Sequence, residues 1–127
     1  MRLADVQFNI RGALVVACLT GELDLSNTDG ISAAILEAVP HQSVALVLDL
    51  SAVEYLDSAG IQLIYRLREM LRTRSQMLRL LIPSDSLVKD ALRFSGVWEH
   101  LDTFETLEDA ILVWPGESGL GQDLRAR

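Results

Sequence analysis

The stretch VALVLDLSAVEYLDSAG, residues 44–60, decides the fold of this 127-residue chain. Its first seven residues, Val44 to Leu50, are almost continuously apolar and consist mainly of leucine and valine, which is typical of a central strand covered on both faces. The ten residues from 51 to 60 mix polar and small side chains, and we expect them to form a loop. From Ala59 to about Arg74 apolar residues recur at steps of three and four, which predicts an amphipathic helix. The stretch therefore indicates an α/β protein.

The flanking segments predict a hairpin followed by further alternation of strands and helices. Apolar and polar residues alternate over residues 6–10, and Arg11-Gly12 offers a tight turn into a second strand at residues 13–20. The remaining pattern predicts helices over residues 29–39, 87–96 and 107–114, and strands over residues 77–82 and 103–105. We expect an α/β fold with a mixed, mostly parallel sheet, opened by the N-terminal hairpin and packed with about four α-helices. Residues 1–114 form one domain in this reading, and residues 115–127 form a flexible, Gly-rich tail.

Composition narrows the function to a protein-binding role. The 11 basic and 18 acidic residues give a net charge of −7, which repels phosphate backbones and argues against direct nucleic-acid binding. The single cysteine, Cys18, excludes an intrachain disulfide and a multi-cysteine metal site. The longest apolar run, Ala13 to Leu19, is far shorter than the roughly 20 residues that span a bilayer, and no signal peptide is recognisable. We expect a cytoplasmic protein with protein partners, no membrane association and no cofactor.

The segment Asp57-Ser58-Ala59-Gly60 is the first candidate site, because it lies between a buried strand and a helix. The simplest interpretation is a helix N-cap, since Asp and Ser accept hydrogen bonds from the first helical turn. The alternative is a modifiable hydroxyl, because a phosphate at a helix N-terminus meets the positive end of the helix dipole. Ala59 and Gly60 would leave room for another surface to approach.

A second candidate site is the loop after the second strand, where Asp24 and Asn27 follow Gly21-Glu22. These are ordinary turn residues, and a purely structural role explains them. If the second and central strands are neighbours, however, the ends of both strands can bring Asp24 and Asn27 near Ser58.

Two further features have simpler interpretations. Four arginines lie close together on or near one helix with a single acid, Glu69, and they form either a solvated face or a docking surface: Arg66, Arg68, Arg72 and Arg74. A serine hydrolase has little support, because G-x-S-x-G is absent and neither His41 nor His100 has an evident reason to meet Ser58. Nucleotide-binding and zinc-protease motifs are absent as well.

The segment LVLDLSAVEYLDSAG, taken together with the upstream GELD and Asn27, resembles the anti-sigma factor antagonist family, which is built on the STAS domain. The resemblance covers roughly residues 5–114, and its most specific part is the D-S-x-G turn after a strand that ends in D-L-S. It implies the STAS fold and a bacterial regulator that works by partner switching. Many members carry a second serine after the acceptor. This chain has Ala59 there, so Ser58 is the only hydroxyl in the motif.

The resemblance implies a specific cycle for Ser58. The unphosphorylated protein would bind a serine-kinase anti-sigma factor and release the sigma factor, phosphorylation of Ser58 would end that binding, and a PP2C-type phosphatase would reset it. The predicted partner-binding surface consists of the following residues: Asp24, Asn27, Asp57, Ser58, Ala59, Gly60 and Gln62. The alternative is a STAS scaffold or regulatory subunit of a stress-sensing or transporter assembly, in which Ser58 is only a helix cap.

Overall fold

A computed structural model describes residues 4–112 as a five-stranded sheet with helices on both faces. The strands are β1 (Asp5–Arg11), β2 (Leu14–Leu23), β3 (Ala45–Leu56), β4 (Met77–Leu81) and β5 (Asp102–Phe104). The helices are α1 (Thr28–Ala38), α2 (Ser58–Thr73), α3 (Lys89–Phe94), α4 (Val97–His100) and α5 (Leu107–Ala110). The spatial order of the strands is β1-β2-β3-β4-β5, and only the β1–β2 pair is antiparallel. The predicted mixed, mostly parallel sheet is confirmed.

The N-terminal hairpin turns at Gly12, whose φ of +62° is a left-handed conformation that glycine adopts without strain. β1 then pairs along its whole length with β2, from Asp5 opposite Thr20 to Arg11 opposite Leu14. The predicted hairpin is confirmed, and β1 is left as an edge strand of the sheet.

β3 is the central strand, and its first half is buried on both faces as predicted. Leu46 and Leu48 pack with the helices α1 and α2, whereas Ala45 and Val47 face the side on which α5 lies. None of these four side chains is accessible to solvent. The alternation of the pleat explains why nearly every position of this segment is apolar.

The loop predicted at residues 51–60 is wrong, because β3 continues to Leu56 and α2 begins at Ser58. β4 pairs with β3 only as far as Asp49. Beyond that point β3 extends past β4 and pairs with the end of β2 alone, through Leu23 opposite Leu56. The polar residues at 51–55 are exposed where the strand has lost its second neighbour, which is why they resemble a loop in the sequence.

The helices divide between the two faces of the sheet. Buried residues of α1, α2, α3 and α4 pack with one face in the larger core cluster, and Ala110 of α5 packs on the other face. The predicted helix at residues 87–96 is shorter than expected, since α3 begins at Lys89 and ends at Phe94. Gly96, with φ of +89°, separates it from the additional one-turn helix α4. The described part therefore has five helices where about four are predicted. The predicted helix at residues 107–114 ends at Ala110, and the part of it beyond residue 112 and the predicted tail at residues 115–127 lie outside the described residues.

Gln76 connects the start of β4 to the segment between α1 and β3. Its side chain is only 4% exposed. The amide nitrogen Nε2 donates to the carbonyl oxygens of Pro40 at 2.8 Å and Ser43 at 2.9 Å, and more weakly to that of His41 at 3.4 Å. This buried amide therefore adds a donor to backbone carbonyls of the connection, of which that of Pro40 also accepts from the N–H of Ser43 at 3.1 Å.

Candidate functional site

Ser58 is the first residue of the 16-residue helix α2, and its side chain is exposed. Asp57 is the N-cap: its carboxylate oxygen Oδ1 accepts from the backbone N–H of Ala59 at 2.9 Å and of Gly60 at 3.3 Å. The carbonyl oxygen of Asp57 accepts from the N–H of Ile61 at 3.1 Å. The capping role that the sequence indicates for this turn therefore belongs to Asp57. Ser58 contributes no capping bond, and its hydroxyl lies at a polar, accessible helix terminus.

Gly60 allows the start of α2 to approach the ends of two strands. A Cβ atom built on Gly60 would lie 2.8 Å from the Cβ of Leu56, 3.2 Å from the Cβ of Leu23 and 3.3 Å from the carbonyl oxygen of Leu23. Gly60 is buried between these strand ends. The sequence suggests that Gly60 leaves space for a partner, but the structure fills this space with the protein's own strands.

The loop that contains Asp24 and Asn27 lies beside the Ser58 turn. β2 and β3 are neighbours in the sheet, and the N–H of Asp57 donates to the carbonyl oxygen of Leu23 at 3.3 Å. This hydrogen bond joins Leu23 and Asp57. Asp24 is the residue after Leu23, and Ser58 is the residue after Asp57. The ends of the two strands bring both candidate segments into one surface.

Hydrogen bonds within the loop fix its shape. The side-chain amide of Asn27 donates to the carbonyl oxygen of Glu22 at 2.8 Å, and its Oδ1 accepts from the N–H of Asp24 at 3.1 Å. The carboxylate of Asp24 accepts from both the N–H (2.9 Å) and the hydroxyl of Ser26. Asn27 thus spans the loop as a brace, and it makes no side-chain cap on α1. Its contribution to a surface comes through the conformation of the loop.

Two residues extend the surface around Ser58. Gln62 is exposed and lies four residues after Ser58, on the same face of α2. Leu25 is 81% exposed between Asp24 and Ser26. Leu25 is absent from the predicted site, although one apolar side chain in the otherwise polar segment from 24 to 27 is a signal that the sequence already contains.

The arginines on α2 and directly after it have different roles. Arg66 pairs with Asp29 of α1 at 3.0 Å, and Arg72 pairs with Glu69 at 3.0 Å. Arg74 donates to the carbonyl oxygens of Leu36 (2.9 Å) and Val39 (3.2 Å) at the end of α1. The hydrogen bond with Arg72 is the main cause that lowers the pKa of the exposed Glu69 carboxyl. Arg66 connects α2 to α1, and Arg74, the residue after α2, connects to the end of α1.

The two histidines lie away from Ser58. His41 precedes the amino end of β3 and His100 precedes the amino end of β5, whereas Ser58 follows the carboxyl end of β3. β3 has 12 residues, and its ends are therefore about 36 Å apart. Both histidines are exposed, and neither can act as a base for the Ser58 hydroxyl in this fold.

Cys18 lies on the α5 side of the sheet, away from the Ser58 turn. Its thiol donates to the Oδ2 of Asp49 at 3.6 Å. Burial is the largest cause that raises the pKa of the Cys18 thiol, and the negative charge of Asp49 raises it further. Among residues 4–112 no group of His, Cys, Asp and Glu side chains is arranged to hold a metal ion. In the same range no helix is both long and apolar enough to cross a bilayer.

Comparisons with known proteins agree with this architecture. The STAS domain family model matches residues 5–110. The anti-sigma-F factor antagonist RsfB of Mycobacterium tuberculosis is 30% identical over 99 residues, which cover 77% of this chain and 79% of RsfB. An anti-sigma factor antagonist from Mycobacterium paratuberculosis has a similar crystal structure, with a TM-score of 0.75 and 24% identity over 86% of this chain and 92% of that chain.

A sulfate transporter family protein from Wolinella succinogenes shares the fold as well. Its structure superposes with a TM-score of 0.68 and 20% identity, over 81% of this chain and 85% of that chain. Both structural likenesses are below 25% identity, and they show the common fold.

Proposed function

The chain belongs to the STAS domain family, and we propose that it is an anti-sigma factor antagonist controlled by phosphorylation of Ser58. In this proposal the unphosphorylated protein binds a serine-kinase anti-sigma factor in the cytoplasm and thereby releases the sigma factor. Phosphorylation of Ser58 by that kinase ends the binding, and a PP2C-type phosphatase restores it. The similarity to RsfB supports the antagonist role. The domain occupies residues 1–114 in this proposal, with residues 115–127 as a tail.

The geometry of the Ser58 hydroxyl carries the proposal. The hydroxyl is exposed at the start of α2, and Asp57 already accepts from the N–H groups of Ala59 and Gly60. A phosphate on Ser58 therefore does not replace an existing cap, and it would remain directed at solvent or at a bound partner. The modification would change the surface of the protein without removing a bond that holds its fold.

The charge of the phosphate is large enough to act as a switch. A phosphoserine carries about −1.5 to −2 charges at neutral pH. Two like unit charges at about 4 Å repel by about 4 kcal/mol at an effective dielectric constant near 20. That energy corresponds to nearly a thousandfold loss of affinity. An acidic partner surface facing Ser58 would therefore be released by a single modification.

The neighbouring residues have different roles in this proposal. Asp57 holds the start of α2, and Gly60, together with the small Ala59, lets it lie against the strand ends. Asn27 and Asp24 fix the adjacent loop, which presents the exposed side chain of Leu25. Gln62 continues the contact surface by one turn of α2.

The proposal is tested by binding measurements with a purified serine-kinase anti-sigma factor encoded in the same genome. Wild type, Ser58→Ala and Ser58→Asp are titrated by calorimetry without ATP, and phosphate transfer is then followed with ATP. We expect Ser58→Ala to bind as tightly as wild type and to accept no phosphate, and Ser58→Asp to bind at least tenfold more weakly. Ser75→Asp is the matched control, because Ser75 is exposed beyond the opposite end of α2, about 24 Å away.

The outcomes separate the proposal from the scaffold alternative. Equal phosphate transfer to wild type and Ser58→Ala would remove Ser58 from the mechanism. Equal binding by wild type and Ser58→Asp would leave Ser58 a structural residue, as in a STAS scaffold or transporter subunit. Asp57→Asn keeps a side-chain acceptor for the cap while removing the charge, so weaker phosphate transfer to a stably folded Asp57→Asn variant would assign kinase recognition to that carboxylate.

A further inference from the structure

β1 is an edge strand whose outer side pairs with no other strand in the part of the chain that the structure describes. Its whole length of seven residues is extended, and six of the seven side chains are exposed. Phe8 is 38% exposed and Ile10 is 64% exposed, on the same face of the strand as Val6. Edge strands of this length usually carry charged side chains, a proline or a bulge that prevents pairing with another chain. In β1 the two charges, Asp5 and Arg11, lie only at the strand ends, proline is absent, and the pairing with β2 is regular.

The sequence of β1, DVQFNIR, has an internal symmetry about its central residue, Phe8. The positions at equal distance from Phe8 hold chemically matched pairs: amides at Gln7 and Asn9, β-branched apolar side chains at Val6 and Ile10, and opposite charges at Asp5 and Arg11. Residues that face each other across two antiparallel strands lie on the same side of the sheet. A strand with this symmetry is therefore complementary to a second copy of itself.

We propose that β1 pairs antiparallel with β1 of a second copy of this chain, about a two-fold axis at Phe8. The pairing joins the two sheets into one continuous sheet of ten strands, five from each copy. Phe8 faces Phe8 of the other copy, and each Val6 faces an Ile10. Each Asp5 faces an Arg11, so the interface contains two equivalent ion pairs, as a two-fold interface requires.

The register of this pairing is determined by the side chains. The axis cannot move by half a residue, to the midpoint between Gln7 and Phe8, because Gln7 and Phe8 would then face each other although they lie on opposite sides of the sheet. If it moved to Gln7, Arg11 would lose Asp5 as its partner. Only the axis at Phe8 pairs every residue of the strand with a matched residue.

Charge favours a second copy as the occupant of this edge. The chain has a net charge of −7, so two copies repel each other over most approaches. β1 has one acid and one base, and its own net charge is zero. Neither Asp5 nor Arg11 forms an ion pair with another residue between 4 and 112. β1 is thus an uncharged edge overall, and its Asp5 and Arg11 each form an ion pair when a second copy binds.

The interface is small, which sets the strength of the expected dimer. Seven paired residues span about 23 Å, and a contact of one strand edge is at the lower end of interface sizes. We expect a dissociation constant on the order of micromolar or weaker. Self-association should therefore appear in sedimentation velocity as the protein concentration rises to about 100 µM. β2 separates β1 from β3, so Ser58→Asp should leave self-association unchanged.

A charge exchange tests the pairing directly. Arg11→Asp places like charges opposite each other twice, and it should raise the dissociation constant at least tenfold. Asp5→Arg should do the same. An equimolar mixture of the two variants restores opposite charges at both positions, so it should form a heterodimer about as tightly as wild type forms its dimer. Arg93→Asp is the control, because it makes the same charge change on an exposed residue outside β1 and should leave the dimer intact.

Cross-linking tests the position of the axis. In a Cys18→Ser background, Phe8→Cys places two thiols on directly facing residues about 4.5–5.5 Å apart at Cα, within the range for a disulfide. Ile10→Cys is the matched control, because its two copies are offset by four residues, about 13 Å. Rapid disulfide formation in the first variant alone supports the proposal. Equal rates in both variants, a monomer at every concentration, or no heterodimer in the mixture would overturn it.

Discussion

Replacing Gly60 with alanine should destabilise the protein, although alanine is the better helix former. The new Cβ would lie 2.8 Å from the Cβ of Leu56 and 3.3 Å from the carbonyl oxygen of Leu23. Neither atom is the end of a flexible side chain, so the start of α2 must move away from the strands. That movement strains the 3.3 Å hydrogen bond between the N–H of Asp57 and the carbonyl of Leu23. Overpacking of this kind costs about 1–3 kcal/mol, and the helix propensity of alanine returns about 0.5–1 kcal/mol.

Gly30 provides a control at the equivalent helix position. It is the third residue of α1, as Gly60 is the third residue of α2, and no atom lies within 4 Å of a Cβ built there. Gly30→Ala should therefore stabilise the protein by about 0.4–1 kcal/mol. Gly60→Ala should destabilise it by up to about 2.5 kcal/mol, which lowers the midpoint of urea unfolding by up to about 1.2 M for a slope near 2 kcal/mol/M.

The assay is urea unfolding of both variants followed by circular dichroism, with partner binding measured on the folded proteins. Gly60→Ala should also weaken binding of the anti-sigma factor, because Ser58 moves with the start of α2, whereas Gly30→Ala should not. A Gly60→Ala protein as stable as Gly30→Ala would refute the reasoning, since the close approach of α2 to the strands would then cost nothing to disturb.

Three other predictions concern residues with different surroundings. Leu25→Ala should weaken binding of the anti-sigma factor at least fivefold without unfolding the chain, as truncation of an interface residue does. Leu112 is 58% exposed after α5, and Leu112→Ala should bind like wild type. Equal affinities of wild type and Leu25→Ala in calorimetry would exclude Leu25 from the interface. Alkylation of Cys18 by iodoacetamide should have a pH midpoint above the ordinary pKa of 9.0, and Asp49→Asn should lower that midpoint only in part, because burial is the larger cause; a wild-type midpoint at 9.0 would contradict this. Because the fold raises the pKa of Cys18, it favours the protonated thiol. The stability that this preference contributes is complete below the unfolded-state pKa of Cys18 and is lost as the pH rises through its folded-state pKa. Gln76→Leu should lower the free energy of unfolding by about 1–3 kcal/mol in urea titrations, because the carbonyls of Ser43 and His41 lose the side-chain donor and that of Pro40 keeps only the N–H of Ser43. An unchanged midpoint would mean that solvent replaces the amide.

The parts of the fold that sequence patterns predict are those with regular burial. The first half of β3 is apolar at nearly every position because both of its faces are covered, and α2 shows a clear helical period because only one of its faces is. The second half of β3 is not predicted, because its burial depends on where β4 ends. The register shifts between β2 and β3 near Cys18 and Gly21 also disturb the alternation there, and local sequence does not reveal such shifts.

The sequence predicts where the candidate site lies better than it predicts which contacts each of its residues makes. The sequence predicts Asp24 and Asn27 beside Ser58 only if the second and central strands are neighbours, and in the structure β2 and β3 are parallel neighbours. The sequence gives no sign that Asn27 is committed to Glu22 and Asp24 within its own loop, or that Gly60 is filled from inside. The contacts of Asn27 depend on the conformation of its loop, and the packing of Gly60 depends on the position of Leu23 in another strand.

The overhang of β3 beyond β4 has a consequence for local motion. Residues 45–49 are held by strands on both sides, whereas residues 50–56 are held by β2 alone. Local opening of the second half breaks bonds to a single neighbour, so it needs less free energy than opening of the first half. Amide hydrogen exchange should accordingly be faster at 51–56 than at 45–49, and equal rates would show that the overhang is as rigid as the core. The serine turn is thus attached to the part of the sheet that opens with the least free energy while the rest of the domain stays folded.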